Sequence, residues 1–229
     1  MTVDPSPILI SMKTAGISIL ITFFLGIFAA RGVAAIRSEK VKIAVDALLT
    51  LPLVLPPTVA GFFLLYLFGV NRPVGRFFLE FFSYKIAFSF SATVLASVTI
   101  SFPLMYRSAR AAFEQVDRNM IYAARTLGMP EGRIFWRVVM PLARPGVAAG
   151  GVLAYARGLG EFGATAMIAG NIAGKTRTLP LAVYSQVAAG DMASAYEYVS
   201  ILVAVCFAVV VAMNYFAGKE NRYRQRAEQ

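Results

Sequence analysis

An all-α integral membrane protein, with about five transmembrane helices in a single domain over residues 1–229, is the fold class that three observations predict. The 229 residues are 58% hydrophobic and only 15% charged, where a soluble domain carries about 25% charged residues. Mean hydropathy is +0.66, and the apolar residues fall in long blocks separated by short basic ones. Several of those blocks reach the roughly 20 residues that an α-helix needs to cross the hydrocarbon core.

The first span is predicted over 8–30. A secretory signal would place its positive charges before a shorter apolar run, whereas here Asp4 and two prolines come first and Lys13 lies inside the run. The second span, 43–70, contains Pro52, Pro56 and Pro57. Proline removes a backbone donor and clashes with the preceding turn. Broken helices at membrane depth are tolerated only where buried in protein or lining a cavity. This segment therefore faces the interior of an assembly, either as a simple kink or as a pore-side element, with Pro56, Pro57 and Thr58 as the candidates. Further spans are predicted over 86–106, 145–168 and 198–217. The single cysteine, Cys206, has no partner for an internal disulfide.

The charge pattern orients these spans. Net charge is +10, but the positives sit between apolar blocks rather than on one soluble face, so topology accounts for them better than nucleic-acid binding does. Lys and Arg are enriched in short cytoplasmic loops. One side collects Arg31, Arg37, Lys40 and Lys42, then the arginines of 107–144, then Lys219, Arg222, Arg224 and Arg226. The other holds only Arg72, Arg76, Lys85, Lys175 and Arg177. The expectation is a multi-pass protein of the cytoplasmic (inner) membrane, N-terminus outside and C-terminus in the cytoplasm.

The longest cytoplasmic segment, 107–144, is patterned as helix, turn, helix. Residues 109–127 are rich in helix formers, Gly128 stops them, Pro130 permits a restart, and a second helix over 131–140 is expected to end at Pro141. Ala123 and Ala124 leave a shallow surface for a partner. Ile134, Phe135, Trp136, Val138 and Val139 are expected to be exposed, and an exposed apolar patch marks a contact.

Here the chain resembles the permease subunits of ABC importers. Ala123-Ala124, three residues, Gly128, nine residues, then Val138, Val139, Met140 and Pro141 has the spacing of their EAA loop, with Tyr122, Val138 and Met140 replacing the family's Glu, Ile and Leu. Leu51–Gly61, Ser101–Met105, Ala156–Ala164 and Thr176–Pro180 are similar to the molybdate permeases of the oxyanion group. Tungstate and sulfate permeases share the Gly160-Glu161-Phe162-Gly163 neighbourhood. The resemblance implies a type I importer permease fold whose cytoplasmic loop is a coupling helix, with Ala123, Ala124, Gly128, Met129, Arg133, Val138 and Pro141 engaging an ATPase. It adds Glu161 and Gly163 to the pore candidates. It also implies a second copy of the chain, two cytoplasmic ATPase subunits that bind ATP and Mg, and a periplasmic or extracellular oxyanion-binding protein. Asn171, Lys175 and Arg177 are the candidate docking residues for that protein. The chain itself would carry no cofactor.

Two further features are read from the residues. Arg157 and Glu161, four apart in the fourth span, would share a helix face and pair, because ionisable residues in a membrane rarely face lipid. A structural pair is the favoured reading over an anion site, since a tightly held anion would not leave. Gly170–Thr176 invites comparison with a phosphate loop, but it has three residues between glycines where that loop needs four. With no histidine, His-based metal sites and catalytic triads are excluded. An ion channel would not need the coupling loop. A proton-coupled carrier often shows internal repeats, and none is present here.

Overall fold

The computed structural model describes residues 4–227, and side-chain surroundings for 4–211. Eleven α-helices are found among them: α1 Ser6–Ala34, α2 Glu39–Val54, α3 Pro57–Phe68, α4 Pro73–Phe82, α5 Phe90–Glu114, α6 Arg118–Thr126, α7 Glu131–Ile134, α8 Met140–Leu159, α9 Gly163–Ile168, α10 Leu179–Ala188 and α11 Met192–Ala227. Three stretches are long and apolar enough to cross a membrane: Ser6–Ala34, Glu131–Leu159 and Met192–Val211. The α2–α3 pair qualifies as one span bent by 112°. The part of the expected fifth span beyond Val211 lies outside the residues whose side chains are described.

The centre of the fold is α5, packed between α1 and α8. Thr14 meets Thr93 at 2.8 Å, Ser97 donates to Ser18 at 2.9 Å, and Thr22 meets Ser101 at 3.2 Å. Each pair is offset by 79 residues, so α1 and α5 run parallel. Close approach through small residues and interhelical hydroxyl bonds is how membrane helices associate where lipid offers no hydrophobic drive. On α8 the order reverses: Gly146 lies over Ala112, Gly150 over Ser108 and Gly158 over Ser97, so α8 is antiparallel to α5. The Ser/Thr content that builds this contact also explains why α5 is less apolar than the three clear spans. Helix α5 also differs in extent from the expected 86–106, since it runs on through Arg110 to Glu114 before turning.

The fourth span differs from expectation at both ends. It does not begin at Pro145, and Pro141 does not terminate the helix before it. One continuous helix runs Glu131–Leu159, with a π-helical stretch over Phe135–Val139 where Met140 N–H donates to Phe135 O. A proline ring presses on the carbonyl four residues earlier, and a widened π turn just ahead of Pro141 gives it room. At the other end the helix stops at Leu159, and residues Gly160–Phe162 separate it from α9.

Helices α10 and α11 form a hairpin beside the start of α1. Leu179 N–H donates to Ser11 Oγ at 2.8 Å, and Tyr198 Oη donates to the Asp4 carbonyl at 3.2 Å. Phe88 N–H donates to Ile168 O at 3.0 Å, tying the end of α9 to the approach of α5.

Candidate functional site

Two breaks between helices meet. The α2–α3 break falls at Leu55 and Pro56, both extended, with ψ of 140° and 135°. A residue before proline is driven out of the helical region, and Leu55 precedes Pro56 just as Pro56 precedes Pro57. The other break is Gly160–Phe162. The chain packs the two breaks together: a methyl placed on Gly163 would lie 3.0 Å from Pro57 Cβ and 3.1 Å from Thr58 N. One placed on Gly61 would lie 2.6 Å from Ala164 Cα. Helices α3 and α9 therefore cross in close contact, with no room for a side chain at Gly61 and little at Gly163. Of the five pore candidates, Pro57, Thr58 and Gly163 come into contact, while Pro56 and Thr58 keep exposed surface.

Glu161 sits in the second break and is 3% exposed. Arg157 Nη1 lies 2.9 Å from Glu161 Oε2, with the arginine side chain 33% exposed. The two do not share a helix face as expected, because α8 ends between them. The chain turns onward through Glu161 N–H to Gly158 O at 3.3 Å, and the pair spans the helix end. Oε1 accepts the Ala164 N–H at 2.8 Å, capping the first turn of α9. Oε2 accepts no aligned hydrogen bond, so the arginine charge alone compensates it. Glu161 thus joins α8 to α9 across the break.

The segment predicted to couple folds as helix, turn, helix. Asp117 caps α6 by accepting Asn119 N–H at 2.9 Å. Gly128 has φ of +72°, a left-handed conformation that glycine adopts without strain, and Met129 N–H returns to Ala124 O. Arg125 clamps Glu131 through two bonds, 2.7 and 3.2 Å. That clamp holds the Glu131 carboxyl below the usual carboxylate range and raises Arg125.

The apolar patch lies elsewhere than the sequence implied. Ile134, Phe135 and Val139 are buried. They pack with Phe113 and Ala30, and the Arg31 guanidinium covers the Phe135 ring at 4.5 Å. Of that group only Trp136 is exposed, and Val138 is half-buried. The exposed apolar surface belongs to α6 and its turn: Met120, Tyr122 and Leu127, the last at 80%, beside Ala123. Gly128, Arg133 and Pro141 are exposed as well, Met129 is half-buried and Ala124 is buried.

A third cluster went unread in the sequence. Asp46 on α2 accepts the Tyr106 hydroxyl at 2.7 Å and the Arg110 guanidinium. Arg110 Nε also binds Glu114 at 2.9 Å. Helix α2 has no buried residue, so this clasp is its firmest tie to α5. A lone acid within an apolar run demands a partner, and that was the available signal.

In the loop after α9, Arg177 Nε donates to Asn171 Oδ1 at 2.8 Å. Ile172 O accepts the N–H groups of Lys175, Thr176 and Arg177, and Thr176 is buried. Asn171 and Arg177 engage each other, leaving Lys175 exposed.

The sequence matches the family described as "binding-protein-dependent transport system inner membrane component" over residues 22–221. It is 37% identical over 202 residues to the putative molybdenum transport system permease protein YvgM of Bacillus subtilis (strain 168), covering 88% of each chain. It is 43% identical over 178 residues to the molybdenum transport system permease protein ModB of Escherichia coli (strain K12), covering 78% of this chain and 77% of that one. Among solved structures, the inward-facing MetNI methionine ABC transporter aligns with a TM-score of 0.73 over 93% of this chain and 94% of its own, at 15% identity, a likeness of fold. The chain therefore belongs to the binding-protein-dependent transport system inner membrane components, multi-pass transport proteins with the fold of ABC importer permeases.

Proposed function

We propose that this chain is the permease subunit of an ATP-driven importer and that its substrate is an oxyanion, molybdate. The observation that carries the substrate is the pair of relatives at 37% and 43% identity, both named for molybdenum transport. Two copies of the chain enclose the pathway about a two-fold axis. Two cytoplasmic ATPase subunits hold the ATP and Mg, and this chain performs no covalent step and carries no cofactor. A binding protein delivers the anion on the other face, where Lys175 offers the freest positive charge and Asn171 and Arg177 shape the loop. The N-terminus lies on that outer side.

The route from ATPase to pathway follows the contacts. The ATPase seats on Ala123, Tyr122 and Leu127. Because Ile134, Phe135 and Val139 lock the coupling helices to α1 and α5, motion at that seat moves these helices as a unit. The Asp46 clasp carries it from α5 to α2, and the α2–α3 elbow turns at Pro56, with Pro57 and Thr58 against Gly163. Glu161 neutralises Arg157, so that arginine does not trap a passing dianion.

The test is ATP-dependent uptake of labelled molybdate into proteoliposomes holding this chain, its ATPase and its binding protein, with tungstate and sulfate as competitors. Competition by tungstate but not by excess sulfate is expected. Strong sulfate competition reassigns the substrate to sulfate, and absence of uptake of all three by an ATP-hydrolysing complex refutes the oxyanion assignment.

A further inference from the structure

Residues 71–85 connect α3 to α5, between the second and third predicted spans. The chain forms α4 there, and its three sides face three environments. Gly75 is buried, its Cα pressed against the carbonyls of Phe68 and Gly69 so tightly that a methyl there has no room. Leu79 is half-buried on the same side. Arg76 and Glu80 form a second side, 67% and 63% exposed and 3.6 Å apart. Phe77, Phe78, Phe81 and Phe82 form the third. The Phe77 and Phe81 rings lie 4.7 Å apart, tilted by 37°, and those of Phe78 and Phe82 5.7 Å apart, tilted by 32°. Phe81 and Phe82 remain 72% and 65% exposed.

In water, such a run of exposed rings on a ten-residue helix has no compensation. Parallel to the membrane surface it has one: aromatic side inward, charged side outward, as interfacial helices lie. The neighbours mark that level. The Arg72 guanidinium sits over the Tyr66 ring at 4.0 Å, and Tyr84 and Lys85 close the other end, the residue types that gather at a membrane–water boundary. Phe62, Phe63 and Tyr66 on the neighbouring α3 are exposed as well. We propose that α4 is an interfacial anchor whose partner is the lipid leaflet opposite the coupling helices. It fixes the depth of the outer end of α3, and with it the α2–α3 elbow that packs on α9.

The experiment labels the full-length chain in phospholipid vesicles. Cys206→Ala leaves a cysteine-free background, and a nitroxide is attached at Phe81→Cys or, as control, at Glu80→Cys. Relaxation by oxygen, which partitions into lipid, is compared with relaxation by a water-soluble nickel chelate. The expected result is oxygen accessibility exceeding nickel accessibility several-fold at position 81 and the reverse at position 80. Equal nickel access at both positions places α4 in water and overturns the proposal. Exclusion of both reagents at position 81 also overturns it, because a protein surface (a second copy or the binding protein) then covers the rings. Phe77→Cys repeats the measurement should Phe81→Cys not assemble.

Discussion

Arg157→Gln should damage this protein more than Glu161→Gln, although the two changes break the same ion pair. The asymmetry follows from burial: the Glu161 side chain is 2% exposed and the Arg157 side chain 33%. Removing the arginine charge strands a carboxylate that water cannot reach, and stranding one member of a buried pair costs about 3–5 kcal/mol. Removing the carboxylate charge strands an arginine that solvates through its open third. Glu161→Gln also keeps an amide oxygen as acceptor for the Ala164 N–H, so the loss is a partly screened pair of about 1 kcal/mol. The double variant has no charge to strand and should lie within about 1–2 kcal/mol of the parent, since uncharged replacements of buried pairs are often neutral. For a chain of this length each kcal/mol moves the midpoint by about 2–4 °C. Arg157→Gln is therefore expected to lower thermal unfolding in detergent by on the order of 10 °C, Glu161→Gln by a few degrees, and the pair together by less than Arg157→Gln alone. A double variant at the sum of the singles would refute the pairing. Arg157→Gln that unfolds normally yet abolishes uptake would refute the structural role and make Arg157 a substrate contact.

Asp46→Asn and Tyr106→Phe are each expected to cost only about 0.5–1.5 kcal/mol, because the Asp46 side chain is 37% exposed and solvent offsets part of the lost bond, and to lower the ratio of anion transported to ATP hydrolysed in proteoliposomes; an unchanged ratio would remove the clasp from the coupling route. Gly61→Val would drive a branched side chain into the Ala164 backbone, an overpacking of about 1–3 kcal/mol, and is expected to block uptake while ATPase binding at α6 persists in pull-down. Leu127→Glu, at an 80% exposed position, should leave the unfolding midpoint unchanged and weaken ATPase association at least tenfold by titration. Because Arg125 lowers the Glu131 pKa, the clamp contributes fully above the ordinary carboxylate range and is lost only as pH falls through that lowered value. Amide exchange at Gly128 and Met129 should then be indifferent to Glu131 titration between about pH 6 and 8, and a protonation-linked rise in that window would contradict the pairing.

Much of this architecture was legible locally. Apolar blocks place helices, Pro56 and Pro57 place a break, and Gly128 places a turn, because each depends on backbone chemistry within a few residues; the coupling role proposed for Ala123 to Pro141 comes from family resemblance instead. Pro141 misled for the same reason: its local rule ends a helix, while the π turn that rescues it is stabilised by Phe135 and Val139 packing on distant α1 and α5. The apolar side chains of 134–139 read as a contact patch because, in a membrane protein, hydropathy does not distinguish a residue facing lipid, a partner or its own core. Sequence alone thus determined where most of the apolar blocks lie and that one of them breaks at Pro56 and Pro57, but not the break at Gly160–Phe162. Only the tertiary structure decided that Gly61 and Gly163 bring two breaks together, that Asp46 has partners 60 and 64 residues away, and that the phenylalanines of α4 share one side of a short helix, since those facts depend on which faces meet, and periodicity specifies a face but not its neighbour.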